Sequence, residues 1–380
     1  MKYKSNYKIC SNCVMDSSDE DILFDKKGIC DHCNNFYQNI SPSWHEEIKT
    51  KNKINDLKKK ILKNSGGAEY DCLIGLSGGV DSSYLTLLAV EEMGLKPLLF
   101  HVDAGWNSQI AVNNINCLVD GLGLDLHTEV INWEEMKDLQ LSFLKSGVPH
   151  IDTPQDHAFF ATMYKYAKKY KIKSILTGSN FSTECVRNPI KWMYYQSDLR
   201  QLNHIHSLFG SKSLKTFPKT SILWHKFWLP YVKRIKVYTP LNFLEYKKNE
   251  AIRVLKNRFG WQEYPQKHFE SRFTKFYESY WLYERFGFDV RRVQLSSLIL
   301  TKQISRQEAL EILKKRPYDK QDIKNEIQYV ANKIDITKNE LIKYFKAPKK
   351  SFEDYKNSYR LYKLGAFILE KTGLQVRGKR

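Results

Sequence analysis

The sequence contains no apolar run that approaches the roughly 20 residues of a membrane-spanning helix. Its first residues, Met1-Lys2-Tyr3-Lys4, lead into polar sequence rather than into the apolar core of a secretory signal. The 380 residues, 42% of them hydrophobic, are enough to bury a sizeable core in two or three domains. We therefore expect a folded cytoplasmic protein without a membrane span.

Acidic residues are scarce relative to basic ones: the chain has 42 Asp and Glu against 61 Lys and Arg, a formal net charge of +19. Such an excess raises the local concentration of polyanions, such as nucleic acid, ATP or a nucleotide-linked sugar. A lysine-rich proteome would produce the same excess without any ligand. The charge alone leaves both explanations open.

No lysine follows the glycines of the segment Ser77-Gly78-Gly79-Val80-Asp81-Ser82, which disfavours the phosphate loop of kinases and GTPases. An apolar strand at 73–76 precedes this segment, and a helix with an apolar face follows it. A helix start reached through a glycine turn offers free N–H groups and the positive end of the helix dipole, which suit a polyphosphate. The alternative is an ordinary strand, turn and helix. The candidate phosphate-binding residues are Ser77, Gly78, Gly79, Asp81 and Ser82.

Cysteine is sparse, yet four of the seven cysteines form two pairs, Cys10-x2-Cys13 and Cys30-x2-Cys33. Sixteen residues separate the pairs, a spacing typical of a four-thiolate zinc site. Metal binding contributes about 10–16 kcal/mol to ordering such small segments. Disulfide bonds and chance are the alternatives to zinc. We expect Cys72 and Cys117 to be core residues, because both lie in apolar runs.

From Asp71 onward, strand-like and helix-like segments alternate, as in a doubly wound α/β fold with a parallel sheet. We predict strands at 71–76, 96–102, 124–131 and 173–177, and helices at 82–93, 108–120, 134–145 and 156–170. Ligands of such sheets bind beyond the carboxyl ends of the strands. Asp103, at the end of the second strand, is suited to accept a hydrogen bond from an adenosine.

After Arg187 the sequence becomes aromatic, basic and helical. Within it, Lys267, His268, Glu270 and Arg272 crowd into six residues beside an expected helix start. Such a cluster suits a departing pyrophosphate, and a solvated surface is the alternative. We expect most of the aromatic segments to pack in the core.

Ser77 to Ser82 resembles the pyrophosphate loop of the ATP pyrophosphatases, which cleave ATP between the α and β phosphates. The segment Thr177-Gly178-Ser179-Asn180 resembles an element of the NAD synthetases in which an acidic residue helps to hold ATP and Mg²⁺. Glu184 fills that acidic position here. With Asp81 it would bring two carboxylates to the phosphates, in keeping with the one or two that Mg²⁺ usually takes. A solvated loop acid is the alternative for Glu184.

Together with the cysteine spacing and the segment from Lys267 to Phe276, these elements resemble one family over about residues 8–315. This family is the N-acetyl sugar amidotransferases of surface-polysaccharide and flagellar-sugar biosynthesis. The resemblance implies that ATP adenylates an acetamido oxygen of a nucleotide-linked sugar, and that ammonia then displaces AMP to give an acetamidino group. It implies Asp81, Lys267, His268 and Arg272 as catalytic residues, and ATP, Mg²⁺ and Zn²⁺ as cofactors.

The resemblance also implies a glutaminase partner like that of imidazole glycerol phosphate synthase, with its barrel subunit as a further candidate. No cysteine in this sequence has the setting of a glutaminase nucleophile, which is a mature N-terminus or a tight glycine-flanked turn. We therefore expect ammonia to reach the chain from a separate subunit.

We predict four parts: a zinc ribbon at 1–40, a helical linker at 41–69, a PP-loop ATP pyrophosphatase domain at 70–190 resembling adenine nucleotide α-hydrolases, and a mainly helical substrate or partner region at 191–380. The main alternative function is tRNA thiolation within the same superfamily, favoured by the basic charge and by Cys185 beside Glu184. A zinc-ribbon nucleic-acid-binding protein is a second alternative, which leaves the glycine loop without a purpose.

Overall fold

The computed structural model describes residues 7–42, 44, 52–222 and 224–371. In the N-terminal segment, α1 (Asp31–Asn35) continues into a π-helical turn at Phe36–Ile40. Helix α2 (Lys53–Ser65) ends at Gly66, whose φ of 58° is left-handed. The linker helix that we expected from Trp44 is described only in part, since residues 43 and 45–51 lie outside the described residues.

A five-stranded parallel sheet forms the centre of the chain, which confirms the predicted doubly wound α/β class. Its strands are β1 (Cys72–Gly75), β2 (Pro97–Asp103), β3 (Leu126–Val130), β4 (Ser174–Leu176) and β5 (Lys236–Tyr238). Across the sheet they lie in the order β3-β2-β1-β4-β5.

Strand β5 was missed in the sequence, because it is three residues long and follows an aromatic helical stretch. The neighbouring strand holds it in place: Lys236 N–H donates to the Lys173 carbonyl at 2.8 Å, and Thr177 N–H donates to the Tyr238 carbonyl at 3.0 Å. The parallel sheet therefore continues into the region that we expected to be helical.

Helices cover both faces of the sheet, so side chains that alternate along each strand enter two separate cores. Leu73 and Phe100 pack into one core, and Ile74 and Leu99 into the other. Cys72 is buried as expected, whereas Cys117 is exposed, contrary to the prediction. The helices between the strands are α3 (Val80–Leu87, continued by a π-helical turn at Leu88–Glu92), α4 (Gln109–Leu122), α5 (Trp133–Ser146) and α6 (Thr153–Lys169).

The rest of the chain is mainly helical, and three of its helical segments begin at capping boxes. These boxes are formed by Ser305 with Glu308, Thr337 with Glu340 and Ser351 with Asp354. Every helix in the described part of the chain is too short or too polar to cross a bilayer. The basic tail at 377–380 lies outside the described residues.

The remaining helical elements are α7 (Phe181–Glu184), α8 (Leu199–Phe209), a π-helix at Trp224–Val232, a 3-10 turn at Pro240–Phe243, α9 (Lys248–Phe259), α10 (Arg272–Phe276, continued by a π-helix at Tyr277–Phe286), α11 (Arg291–Leu300), α12 (Arg306–Lys314), α13 (Lys320–Lys333), α14 (Lys338–Lys346), a 3-10 turn at Phe352–Asp354 and α15 (Tyr359–Lys371).

Candidate active site and metal centre

The glycine loop lies between the ends of β1 and β4, where the strand order reverses and doubly wound folds bind their ligands. Gly78 has a φ of 83°, and a Cβ there would lie 2.8 Å from the Ala111 carbonyl oxygen. A Cβ on Gly178, in the loop after β4, would lie 2.9 Å from the Ser82 nitrogen. Only glycine therefore allows the glycine loop to lie so close to α4 and to the loop after β4.

Aromatic side chains from distant segments hold the glycine loop. Trp261 Nε1 and the Tyr264 hydroxyl each donate to the Gly78 carbonyl at 3.1 Å. Within the loop, the Ser77 and Ser82 hydroxyls lie 3.2 Å apart. The sequence analysis missed Trp261 and Tyr264, because more than 180 residues separate each of them from Gly78.

Lys267 joins the two predicted acids. Its Nζ lies 3.1 Å from Asp81 Oδ2 and 2.6 Å from Glu184 Oε1. The other oxygen of Asp81 accepts hydrogen bonds from the Tyr246 hydroxyl at 2.7 Å and from Asn180 Nδ2 at 3.3 Å. The structure thus brings the predicted Asp81, Glu184 and Lys267 together and adds Tyr246, for which the sequence carried no signal.

Burial and the neighbouring charges shift the pKa values of Asp81 and Lys267 in opposite directions. Burial disfavours the ionised Asp81, but the Lys267 charge and the Tyr246 hydrogen bond outweigh it and lower the pKa of the Asp81 carboxyl. Burial also disfavours the charged Lys267, yet Asp81 and Glu184 raise the pKa of its amine above the ordinary value. Asp81 and Lys267 are therefore both ionised at neutral pH.

His268, next in the chain, has a φ of 68° and places Nδ1 2.9 Å from Glu278 Oε1. Burial lowers the pKa of His268, but Glu278 outweighs burial and raises it from 6.5 to about 9. Lys267 and His268 therefore present two positive charges to the same cavity.

Arg272 and Asp103, also predicted as site residues, are not among the described residues that line this cavity. Arg272 pairs with Glu326 of α13 at 3.1 Å and stacks 3.3 Å from the centre of the Tyr329 ring. Asp103 Oδ1 accepts from the Gly105 N–H at 2.8 Å, so the carboxylate shapes the turn after β2. The side chains just before Asp103, at 100–102, line the cavity instead.

The cavity has a volume of about 530 Å³ and joins the glycine loop to residues of α6 and of the 266–278 segment. A second cavity of about 450 Å³ adjoins it. Residues common to both walls are Glu184, Asn188, Lys267, His268 and Glu278. The volume of the main cavity, and a mostly apolar wall that carries a few charged groups, suit small-molecule substrates.

The four N-terminal cysteines form one cluster, which confirms that the two Cys-x2-Cys pairs come together. Their sulfur atoms all lie within 4.8 Å of one another, with Cys10 to Cys33 at 3.8 Å and Cys13 to Cys30 at 3.6 Å. A tetrahedral ion about 2.3 Å from each thiolate places the sulfurs about 3.8 Å apart, so the donor set fits zinc. All four thiols are free, which contradicts the disulfide alternative.

Hydrogen bonds from the cysteine segment itself and from a helix near the C-terminus stabilise this cluster. Backbone N–H groups of Cys13 and Cys30 point at Cys10 Sγ at 3.4 and 3.2 Å. The Arg306 guanidinium of α12 donates to the carbonyls of Cys10 and Cys13 at 2.8 and 3.0 Å. The metal-binding segment is therefore attached to the C-terminal helices.

The parallel sheet and the glycine loop after β1 define a doubly wound α/β protein. Residues 270–368 match the family model described as "LPS biosynthesis protein WbpG-like, C-terminal domain", in agreement over these residues with the expected resemblance to a family of surface-polysaccharide biosynthesis. No curated protein matches the chain by sequence.

Several solved structures resemble the chain at low identity. NMN synthetase from Francisella tularensis is 17% identical, with a TM-score of 0.26, 58% of this chain covered and 92% of the other. NH3-dependent NAD synthetase from Campylobacter jejuni subsp. jejuni is 16% identical, with a TM-score of 0.28, and the match covers 59% of this chain and 98% of the other. The U34-tRNA thiolase NcsA from Methanococcus maripaludis is 13% identical, with a TM-score of 0.29, and the match covers 68% of this chain and 78% of the other.

Proposed function

We propose that this chain is an ATP-dependent amidotransferase that converts an acetamido group of a nucleotide-linked sugar into an acetamidino group. The observation that carries the proposal is the position of Lys267 between Asp81 and Glu184, beside the glycine loop. The family match over residues 270–368 supports a substrate from polysaccharide biosynthesis.

In the first step the amide oxygen attacks the α-phosphorus of ATP. A new oxygen–phosphorus bond forms, the bond to the β-phosphate oxygen breaks, and pyrophosphate leaves with the electron pair. The loop N–H groups, Lys267 and His268 stabilise the charge that develops on this leaving group. Asp81 and Glu184 offer oxygen donors suited to Mg²⁺, which would neutralise phosphate charge when bound.

In the second step ammonia attacks the imidate carbon, the carbon–oxygen bond to AMP breaks, and the nitrogen loses a proton. We propose that a separate glutaminase subunit supplies this ammonia, either alone or with a barrel subunit. Among the described residues, no cysteine lines either cavity, so a thiol nucleophile for glutamine is absent from these walls.

The same observation weighs against tRNA thiolation by this chain. Cys185 is buried, and its Sγ points at the Ser297 carbonyl at 3.8 Å. Burial raises the pKa of the Cys185 thiol to about 12, so it is a poor sulfur carrier at neutral pH. We further propose zinc as the ion of the four-cysteine cluster, with a structural role.

The test is to incubate the protein with α-labelled ATP, ammonium and a panel of nucleotide-linked sugars, with diacetamido uronic acids first and nine-carbon sialic-like acids second. Mass spectrometry should show replacement of one carbonyl oxygen by an NH group, together with stoichiometric AMP. Formation of ADP, or ATP-dependent sulfur incorporation into tRNA, would overturn the proposal.

A further inference from the structure

Two residues that line the main cavity each carry a buried polar atom without a hydrogen-bond partner among the described residues. These atoms are Asp152 Oδ1 and the Tyr277 hydroxyl. Asp152 is 2% exposed and Tyr277 is 1% exposed. Buried polar groups nearly always find a partner, so an unpaired carboxylate oxygen and an unpaired hydroxyl in one cavity indicate a ligand with hydrogen-bonding groups.

The charges around these atoms indicate the sign of that ligand. Glu278 is paired with His268 at 2.9 Å, and Asp156 is paired with His150 at 3.2 Å. Among the described residues no cation forms an ion pair with Asp152, and the charge of His268 acts on it without a direct contact.

The contacts of Asp152 are neutral. Its Oδ2 accepts from the Thr274 hydroxyl at 2.6 Å and from Gln155 Nε2 at 3.4 Å. Burial and the nearby Asp156 charge raise the pKa of Asp152 well above its ordinary value. A bound cation would offset both effects, whereas a phosphate or a sugar carboxylate would meet like charge.

We propose that Asp152 and Tyr277 form the subsite for the ammonium ion that provides the nitrogen of the amidino group, an inference that rests on the proposed function. An ammonium ion carries one positive charge and four N–H donors, and it is small enough for a buried position. One N–H donates to Asp152 Oδ1 and another to the Tyr277 hydroxyl oxygen. Asp152 then takes a proton as an N–H bond breaks and a carboxyl O–H bond forms, leaving neutral ammonia as the nucleophile.

The test measures ammonium binding without any sugar. Unfolding midpoints are compared in ammonium, potassium and tetramethylammonium chloride at equal ionic strength. Ammonium at ten times its dissociation constant should raise the midpoint of the wild-type protein by about 2 °C relative to the other two salts. Asp152→Asn should abolish this difference, and Tyr277→Phe should reduce it without changing the packing of the ring.

The matched control is Tyr280→Phe. Tyr280 lies on the same π-helix, but it packs against Tyr318 and Phe345 and is not among the cavity residues. This variant should keep the full ammonium-specific shift. If Asp152→Asn does not fold, Tyr277→Phe alone decides the test.

Other outcomes would overturn the subsite. Equal shifts in ammonium and potassium would identify an unselective cation site, and equal shifts in all three salts would indicate only a bound water. Retention of the ammonium-specific shift in Tyr277→Phe and Asp152→Asn would exclude these residues.

The labelled-ATP assay separates this inference from the proposed function. AMP and the amidino product without ammonium-specific stabilisation would overturn the subsite and leave the function standing. ADP as the product would overturn both the proposed amidotransferase function and the ammonium subsite that rests on it.

Discussion

Lys267 Nζ lies 2.6 Å from Glu184 Oε1, although 83 residues separate the two in the chain. The contact joins the helix that follows β4 to the segment that precedes α10. Because the charged Lys267 side chain also pairs with Asp81, this one cation links the glycine loop to both of these segments.

Lys267→Met should reduce AMP formation by about 100-fold or more, because it removes a positive charge from the position proposed for the leaving pyrophosphate. It also leaves Asp81 without its ion pair, so some loss of stability is expected. The measurement is the initial rate of pyrophosphate release. Lys256→Met is the control, since Lys256 pairs with exposed Glu263 and does not line the cavity. An unchanged rate in Lys267→Met would contradict the assignment.

Asp81→Asn should keep the fold but reduce AMP formation by about 100-fold, because the site loses a carboxylate proposed to hold Mg²⁺. Circular dichroism and the AMP yield from labelled ATP measure the two effects separately. The exposed acid Asp120, changed to Asn, is the control. Full activity of Asp81→Asn at limiting Mg²⁺ would refute this role.

Cys13→Ser should lose the metal and unfold the N-terminal segment locally, since one of four thiolate ligands is removed. Freshly reduced wild-type protein should contain about one zinc per chain by elemental analysis. Cys117→Ser should retain the metal, because Cys117 is exposed and lies outside the cluster. Wild-type protein without zinc would count against the identity of the ion.

The pH dependence should include a transition assigned to His268. Its pKa is raised from 6.5 to about 9 in the folded state, so its pair with Glu278 contributes full stability below pH 6.5. That contribution is lost as the pH rises through about 9, and the rate of pyrophosphate release should fall over the same range. Glu278→Gln should move the transition to lower pH, as measured by NMR titration of the ring. A transition that does not move would show that Glu278 does not set the pKa.

The isolated chain should use ammonium but not glutamine. The reason is the absence of a cysteine from the described walls of both cavities. AMP formation with each nitrogen source is the measurement, and asparagine serves as a negative control. Robust glutamate production by the chain alone would show that it has a glutaminase site outside these two cavities.

Local features of the chain could be read from the sequence. The glycine loop and the two Cys-x2-Cys pairs each involve residues close in the chain, whose geometry depends on backbone freedom and short-range contacts. Four of the five strands also followed from apolar runs separated by helices. These patterns were sufficient to predict the fold class and the position of the glycine loop at the end of β1.

The tertiary structure decided what depends on distant partners. Strand β5 exists because its backbone pairs with β4, and three residues carry too weak a pattern to reveal it. Arg272 was predicted for the site, yet Glu326 and Tyr329 of α13 hold it elsewhere. Asp152 was not predicted at all, since a single acid has no distinctive pattern. The sequence alone determined the fold class and the local motifs; long-range packing decided which charged side chains share the cavity, because that depends on burial and on partners far apart in the chain.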